Sequence, residues 1–418
     1  MSKSPIWHPF TQHGLEEPIP LVERTEGAIL HTNDGRRIID AISSWWVNTH
    51  GHGNPRIMAA IAEQTKKLDQ IIFAGWTHQP AEDLAKELRQ IMPDTLTRVF
   101  FSDSGSTSVE VALKMALGYW HAQDEPRHTI VVMEHSYHGD TIGAMSVGER
   151  GVFNQAYREL LFDVVTVPFP HVGQEQATFN ALEKACANNA AAFIVEPLVL
   201  GAGGMLMYPP HVLAEMHRIC TKHGVLFLAD EVMTGWGRTG TLLACEQADI
   251  TPDILCLSKG LTGGAIPLAV TMASEPIYQA HYSTDRACMF FHSSSYTANP
   301  IACAAAVANL AIWRDEPVAD RIAALADMHE QAMTKLQNVP GISGVRRCGT
   351  ILACEIGDGR SYMADIAPRL LAYFRERDML VRPLGNTVYL MPPYCITPDD
   401  HAALVTAIAD APAALRII

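Results

Sequence analysis

An α/β fold, with a mainly parallel central sheet and a second, smaller α+β domain, is what this 418-residue chain predicts. Three observations carry the prediction. Strand-like and helix-like segments alternate between about residues 98 and 258. Several of the strands are unbroken apolar runs, such as Val225-Leu226-Phe227-Leu228-Ala229, the pattern of strands covered on both faces. From about Asn299 the texture changes to an alanine-rich helical stretch followed by short strand-like segments.

The elements follow in order. AILHT, then Asn33-Asp34-Gly35, then RRIID reads as a β-hairpin closed by a turn that favours positive φ. Strands are expected at 98–102, 129–134, 191–196, 225–230 and 254–258, and helices at 107–121 and 211–223. Further helices are expected at 300–314 and 318–337, with GVRRCGTILACEI and NTVYLMPPY as strands of the smaller unit. The expected division is a large domain over 56–300 and a discontinuous small domain made of 1–55 and 301–418.

Composition narrows the function classes. Apolar residues make up 48% and charged residues 18% of the chain, enough for a large core and against disorder. The net charge of −14 disfavours nucleic acid or an anionic membrane as the main partner. The first residues, MSKSPIWHPFTQ, lack an apolar signal region, and no run of about 18 apolar residues is present. The nine cysteines are scattered without a C-x-x-C pair, which suits reduced thiols in the cytoplasm.

The chemistry gathers around DILCLSKGLTGG, where an apolar strand runs straight into Lys259. Lysine is rarely buried without a partner, so this one either reaches solvent or reacts. Asp230 ends the preceding apolar strand, and ligands of open α/β sheets sit outside such strand ends. In FFSDSGSTSVE a strand enters a Ser/Gly loop and a helix begins. Thr107-x-x-Glu110 fits a capping box there, and the helix N-terminus offers an anion site. Tyr137, in EHSYHGD, stands at another strand end and suits the face of a flat ring. His135 and His138 form an H-x-x-H without a third ligand at a persuasive spacing, so no metal is expected. Gly235-x-Gly237-x-x-Gly240 follows a strand but lacks the long helix and the acidic residue that a dinucleotide fingerprint needs. An anion site, a carboxylate, an aromatic and a strand-end lysine are together what pyridoxal phosphate requires.

LADEVMTGWGRTG followed by PDILCLSKGLTGG resembles the fingerprint of the class III, ω-type aminotransferases of fold type I. The interval from Asp230 to Lys259, 259 − 230 = 29 residues, is the family's own. Segments IWHPF, AISSWW, SDSGS, VRPLG and YLMPPY are similar to the biotin-pathway branch, in which S-adenosylmethionine aminates 8-amino-7-oxononanoate. The resemblance spans about residues 6 to 395. It implies a covalent bond from Lys259 to the cofactor, Asp230 on the pyridine nitrogen, Gly105 and Ser106 on the phosphate, and Tyr137 and Glu196 at the ring. It implies that Trp45, Trp46, Ser293, Arg238 and Arg382 bind substrate, Arg238 and Arg382 through carboxylates. Ser295 would reach the phosphate of a partner subunit, which makes a homodimer with shared sites the expected assembly. Phe10 replaces the tyrosine usual in the S-adenosylmethionine-using members and matches those that use lysine, whereas the intact Trp45-Trp46 pair matches the former. S-adenosylmethionine is the expected donor, and lysine the alternative.

Overall fold

The computed structural model describes residues 4–125, 127–358 and 365–417. Its centre is a seven-stranded sheet. In chain order the strands are β1 (Arg98–Ser102), β2 (Thr129–Met133), β3 (Val165–Val167), β4 (Ala190–Val195), β5 (Leu226–Asp230), β6 (Ile254–Leu257) and β7 (Ala269–Ala273). Across the sheet the order is β1-β7-β6-β5-β4-β2-β3. β7 is antiparallel to both β6 and β1, and the pairings from β6 to β3 are all parallel.

The unbroken apolar strands have a direct cause. Alternate residues of one strand enter different cores. Phe227 and Ala229 of β5 pack with Phe193 and Val195 of β4 on one side. Leu226 and Leu228 pack with Ala192 and Ile194 on the other, where the Gly105–Ala122 helix lies. With both faces covered, neither phase of the alternation is left for polar residues. Trp120 fastens that helix to the sheet by donating from Nε1 to Ala191 O at 2.8 Å.

The ends of the chain meet. Ile29–Thr32 and Arg37–Asp40 form the hairpin expected from the Asn-Asp-Gly turn, with Gly35 at φ +84°, and Val22–Glu26 adds a third antiparallel strand. Met379–Leu380 then pairs in parallel with Arg37–Asp40, so distant segments share one small sheet. A second antiparallel sheet joins Ile342–Cys348, Ile351–Ile356 and Thr387–Leu390. Ser43 Oγ donates to Met391 O at 2.8 Å, tying the N-terminal segment to the end of that sheet.

One local expectation is corrected. The 18-residue helix begins at Gly105, and its capping box joins Ser104 and Thr107, not Thr107 and Glu110. Ser104 already satisfies the first turn, so Glu110 is free to reach sideways. Its carboxylate accepts from Thr141 Oγ1 at 2.6 Å, Gly143 N at 2.8 Å and Ala144 N at 3.2 Å, capping the Ile142–Ser146 helix instead. Glu110→Ala leaves those donors unpaired, and we expect a loss of about 1–3 kcal/mol in denaturant unfolding.

Candidate active site

Three neighbouring strands end on the same edge. β4, β5 and β6 are parallel and paired in sequence, so their carboxyl ends lie side by side at roughly 4.8 Å spacing. Glu196 directly follows β4, Asp230 ends β5, and Lys259 stands two residues beyond β6. The parallel register thus sets two carboxyl groups beside one amine, a grouping with no counterpart in local sequence.

Each member is held. Asp230 Oδ2 lies 2.7 Å from His138 Nδ1, and Oδ1 accepts from Val232 N at 3.1 Å. Glu196 accepts from Tyr137 N at 3.0 Å and from Gly201 N at 2.9 Å. Burial nevertheless dominates and raises the Glu196 carboxyl to about 7. Lys259 has φ +46°, in the left-handed region that non-glycine residues rarely occupy. The carbonyls of Gly260 and Leu261, which follow it, each accept from Asn309 Nδ2 at 3.0 Å. A Cβ on Gly260 would lie 2.7 Å from Trp236 Cβ, so only glycine passes there. Burial lowers the Lys259 amine to about 8, against the opposing pull of Asp230 and Glu196.

Lys259 joins two adjacent cavities, which also share Trp46 and Tyr137. The inner one, about 160 Å³, includes Gly105, Ser106, His138, Glu196 and Asp230. It meets the N-terminus of the Gly105–Ala122 helix, where unpaired N–H groups and the helix dipole favour an anion. Close packing forbids side chains at its glycines. A Cβ on Gly105 would sit 2.6 Å from Val232 Cγ1, and one on Gly139 would collide with Ser106 Oγ.

The outer cavity, about 370 Å³, is walled by Phe10, Trp45, Trp46, Phe153, Arg382 and Tyr389. Its wall rests on a strained turn. Ser43, Ser44 and Trp46 all have positive φ, and buried Asp40 holds them by accepting from Ile42 N at 3.2 Å and Ser44 N at 2.6 Å. Trp46 Nε1 donates to Tyr389 Oη at 2.9 Å, and Lys259 Nζ lies 4.8 Å from the Trp46 ring centre. The Arg382 guanidinium is 5.0 Å from the Trp45 ring and 5.8 Å from the Phe10 ring, and donates to Phe10 O at 3.4 Å.

Three of the expected residues lie elsewhere. Arg238 lines neither cavity: it is 1% exposed and donates to the main-chain carbonyls of Pro392, Trp46 and Asn48. Those bonds close the chain around the Trp46 turn. Ser293 and Ser295 are exposed and line neither cavity of this chain. Conversely, the H-x-x-H spacing of His138 raises only a metal, and its contact with Asp230 has no signature in spacing. Phe153 enters the wall from a segment that carries no motif, and Tyr389 opens the YLMPPY segment, to which the resemblance assigned no side-chain role.

The inner cavity suits pyridoxal phosphate: a helix N-terminus for the anion, a fixed carboxylate for a ring cation, and an amine of lowered pKa for an aldehyde. His138 Nε2 is buried there without a hydrogen-bond partner, a vacancy that a polar ligand group can fill.

Residues 11–411 match the class-III aminotransferase family. An adenosylmethionine-8-amino-7-oxononanoate aminotransferase from Synechococcus elongatus is 48% identical, over 97% of both chains. The protein of that name from Geobacter sulfurreducens is 35% identical, over 96% of this chain and 94% of its own. Among solved structures, the aminotransferase of that name from Methanocaldococcus jannaschii superposes with a TM-score of 0.93 at 33% identity, covering 97% and 96% of the two chains. An amine transaminase from an uncultivated Pseudomonas species, in PLP-bound form, gives 0.93 at 32% identity over 99% of each chain.

Two measurements on the cofactor-free protein test the electrostatics. Amine-directed labelling of Lys259 should show a midpoint near pH 8, while ordinary lysines titrate near 10.5. Glu196 holds its proton up to about pH 7 in the folded state, against 4.5 ordinarily. Stability should therefore fall as pH rises between those values, and Glu196→Gln should remove up to about 3 kcal/mol of that fall. Glu231, also raised to about 7 by burial, keeps its own share.

Proposed function

The chain belongs to the class-III aminotransferases, and we propose that it moves an amino group from S-adenosylmethionine to 8-amino-7-oxononanoate, giving 7,8-diaminononanoate in biotin biosynthesis. The observation that carries this reading is the Asp230–Lys259 pair at adjacent strand ends, opening into a cavity walled by Trp45, Trp46 and Arg382. The names of the full-length relatives support the substrates.

Pyridoxal phosphate, when bound, supplies an aldehyde to carry the amine and a ring to spread the electron pair left by a departing proton. The residues do the rest. Gly105, Ser106 and the helix N-terminus hold the phosphate. Asp230, steadied by His138, holds the ring nitrogen in its protonated form. Tyr137 covers the ring face. Lys259 Nζ, uncharged above about pH 8, would take the proton from the donor α carbon and deliver it to the cofactor side of the transferred nitrogen. Arg382 receives a substrate carboxylate in two parallel hydrogen bonds, with Trp45 and Phe10 packed against it.

Phe10 lines the outer cavity without a hydroxyl, so the Trp45-Trp46 wall carries the donor assignment. Ser293 and Ser295 sit on an exposed stretch beside Phe291 and Tyr296, themselves exposed. That surface suits a second copy of the chain, in which Ser295 approaches the partner's phosphate site. Among the described residues no helix is long and apolar enough to cross a membrane, and the cysteines are free. The cytoplasm is the compartment this suits.

Mixing the holoenzyme with S-adenosylmethionine and 8-amino-7-oxononanoate should yield 7,8-diaminononanoate, read by mass spectrometry. Lys259→Ala should abolish the product, and undiminished turnover in that variant would sink the assignment. Arg382→Ala should raise the KM of S-adenosylmethionine, whose carboxylate it receives, at least about tenfold, with a smaller effect on kcat.

A further inference from the structure

Two consecutive side chains wall the same cavity, and regular backbone does not deliver that. Neighbours on a strand point to opposite faces, and on a helix they diverge by about 100°. Trp45 and Trp46 nevertheless both line the outer cavity. Trp45 lies edge-on to Phe10 with the Arg382 guanidinium beside it, and Trp46 reaches Tyr389 and Lys259. The turn that carries them makes this possible. Ser44, at φ +63° and ψ −87°, is close to the γ-turn conformation that is rare and strained for L-residues, and Trp46 follows at φ +66°.

The turn is held by a pair that lines neither cavity. Asp40 is fully buried. Its Oδ1 accepts from Ile42 N, and its Oδ2 from the N–H of the strained Ser44. The same Oδ2 lies 2.8 Å from His52 Nε2, and the imidazole donates to it. His52 is fixed in turn through its own main chain. Its N donates to Gly27 O at 2.7 Å, and its O accepts from Gly27 N at 3.1 Å. The residue before it, Gly51, has φ +98°, and a Cβ there would lie 2.6 Å from Cys395 Sγ and 3.0 Å from Gly27 Cα. The main chain cannot slide, so the reach of the ring to Asp40 is set.

We propose that His52 is a positioning residue for substrate. Acting through Asp40, it aims the Trp45 and Trp46 rings and thereby sets which substrates the outer cavity accepts. It touches no substrate itself. Without its donor, the Asp40 Oδ2 keeps one main-chain partner and the carboxyl group is free to turn. Ser44 then loses its anchor, the strained turn relaxes and the two rings part. The effect falls on binding and not on chemistry, because Lys259, Asp230 and Glu196 are held by other partners. This rests on the reading of the outer cavity as the substrate site.

Fluorine NMR of the holoenzyme carrying 5-fluorotryptophan reads the wall directly, with the Trp45 and Trp46 resonances assigned through Trp45→Phe and Trp46→Phe. His52→Ala should shift or broaden both and leave Trp120, in the other core, in place. The KM for S-adenosylmethionine should rise at least about tenfold, the scale of one buried hydrogen bond, while kcat changes less than about threefold. His52→Gln, whose amide can donate to Oδ2, should bring both the resonances and the KM back towards wild type. His52→Asn, too short to reach, should behave as His52→Ala, and replaces it if the alanine variant does not fold. Unmoved Trp45 and Trp46 resonances overturn the positioning role. So does a His52→Gln variant no different from His52→Ala, or a loss confined to kcat. If S-adenosylmethionine does not convert the wild-type holoenzyme, the donor assignment falls, and the resonances still decide the role of His52.

Discussion

The site depends on one electrostatic constraint: a lysine amine held in a water-poor space between two carboxyl groups that the parallel sheet delivers to the same edge. Burial disfavours every charge in this group. It lowers Lys259 to about 8 and raises Glu196 to about 7, so near neutral pH each is close to its midpoint. Asp230 and Glu196 are each held in place by hydrogen-bond partners at both carboxyl oxygens. The same desolvation that destabilises the fold locally leaves an amine able to exchange protons and a carboxylate fixed in place. Strain adds to that cost. Lys259, Trp46, Ser43 and Ser44 all occupy left-handed backbone, concentrated where the two cavities meet.

The surrounding structure holds these conformations from several directions. Asn309 reaches from the Pro300–Asp315 helix to the carbonyls after Lys259. Asp40 holds the tryptophan turn from the N-terminal sheet, and Arg238 closes the chain behind it. Segments from both ends of the sequence thus maintain a site whose reacting groups lie on central strands. The N-terminal stretch joins the outer wall directly, through Phe10 against Trp45 at 5.4 Å and the carbonyl of Phe10 on Arg382.

The central sheet was legible because strands buried on both faces write themselves as continuous apolar runs, and because Asp230 and Lys259 sit at fixed strand ends. The chain ends of β4, β5 and β6 are similarly legible once the strands are placed. Side-chain direction was not. Thr107 and Glu110 have capping-box spacing, yet Ser104 already occupied the cap and Glu110 turned to another helix. Arg238 reads as a cation near the site, but spacing does not reveal that its two terminal nitrogens donate to three main-chain carbonyls. Ser293 and Ser295 lie on an exposed stretch, and the roles the resemblance implies for them depend on a second chain.

The most direct test of the central claim is the rate at which donor alone converts the bound cofactor in Asp230→Asn. The substitution keeps size and shape but removes the charge that the strand end supplies. Retained cofactor with a rate reduced at least about a hundredfold is the predicted result. An unchanged rate, with cofactor still bound, would contradict the account of Asp230 as the charge on which the chemistry turns.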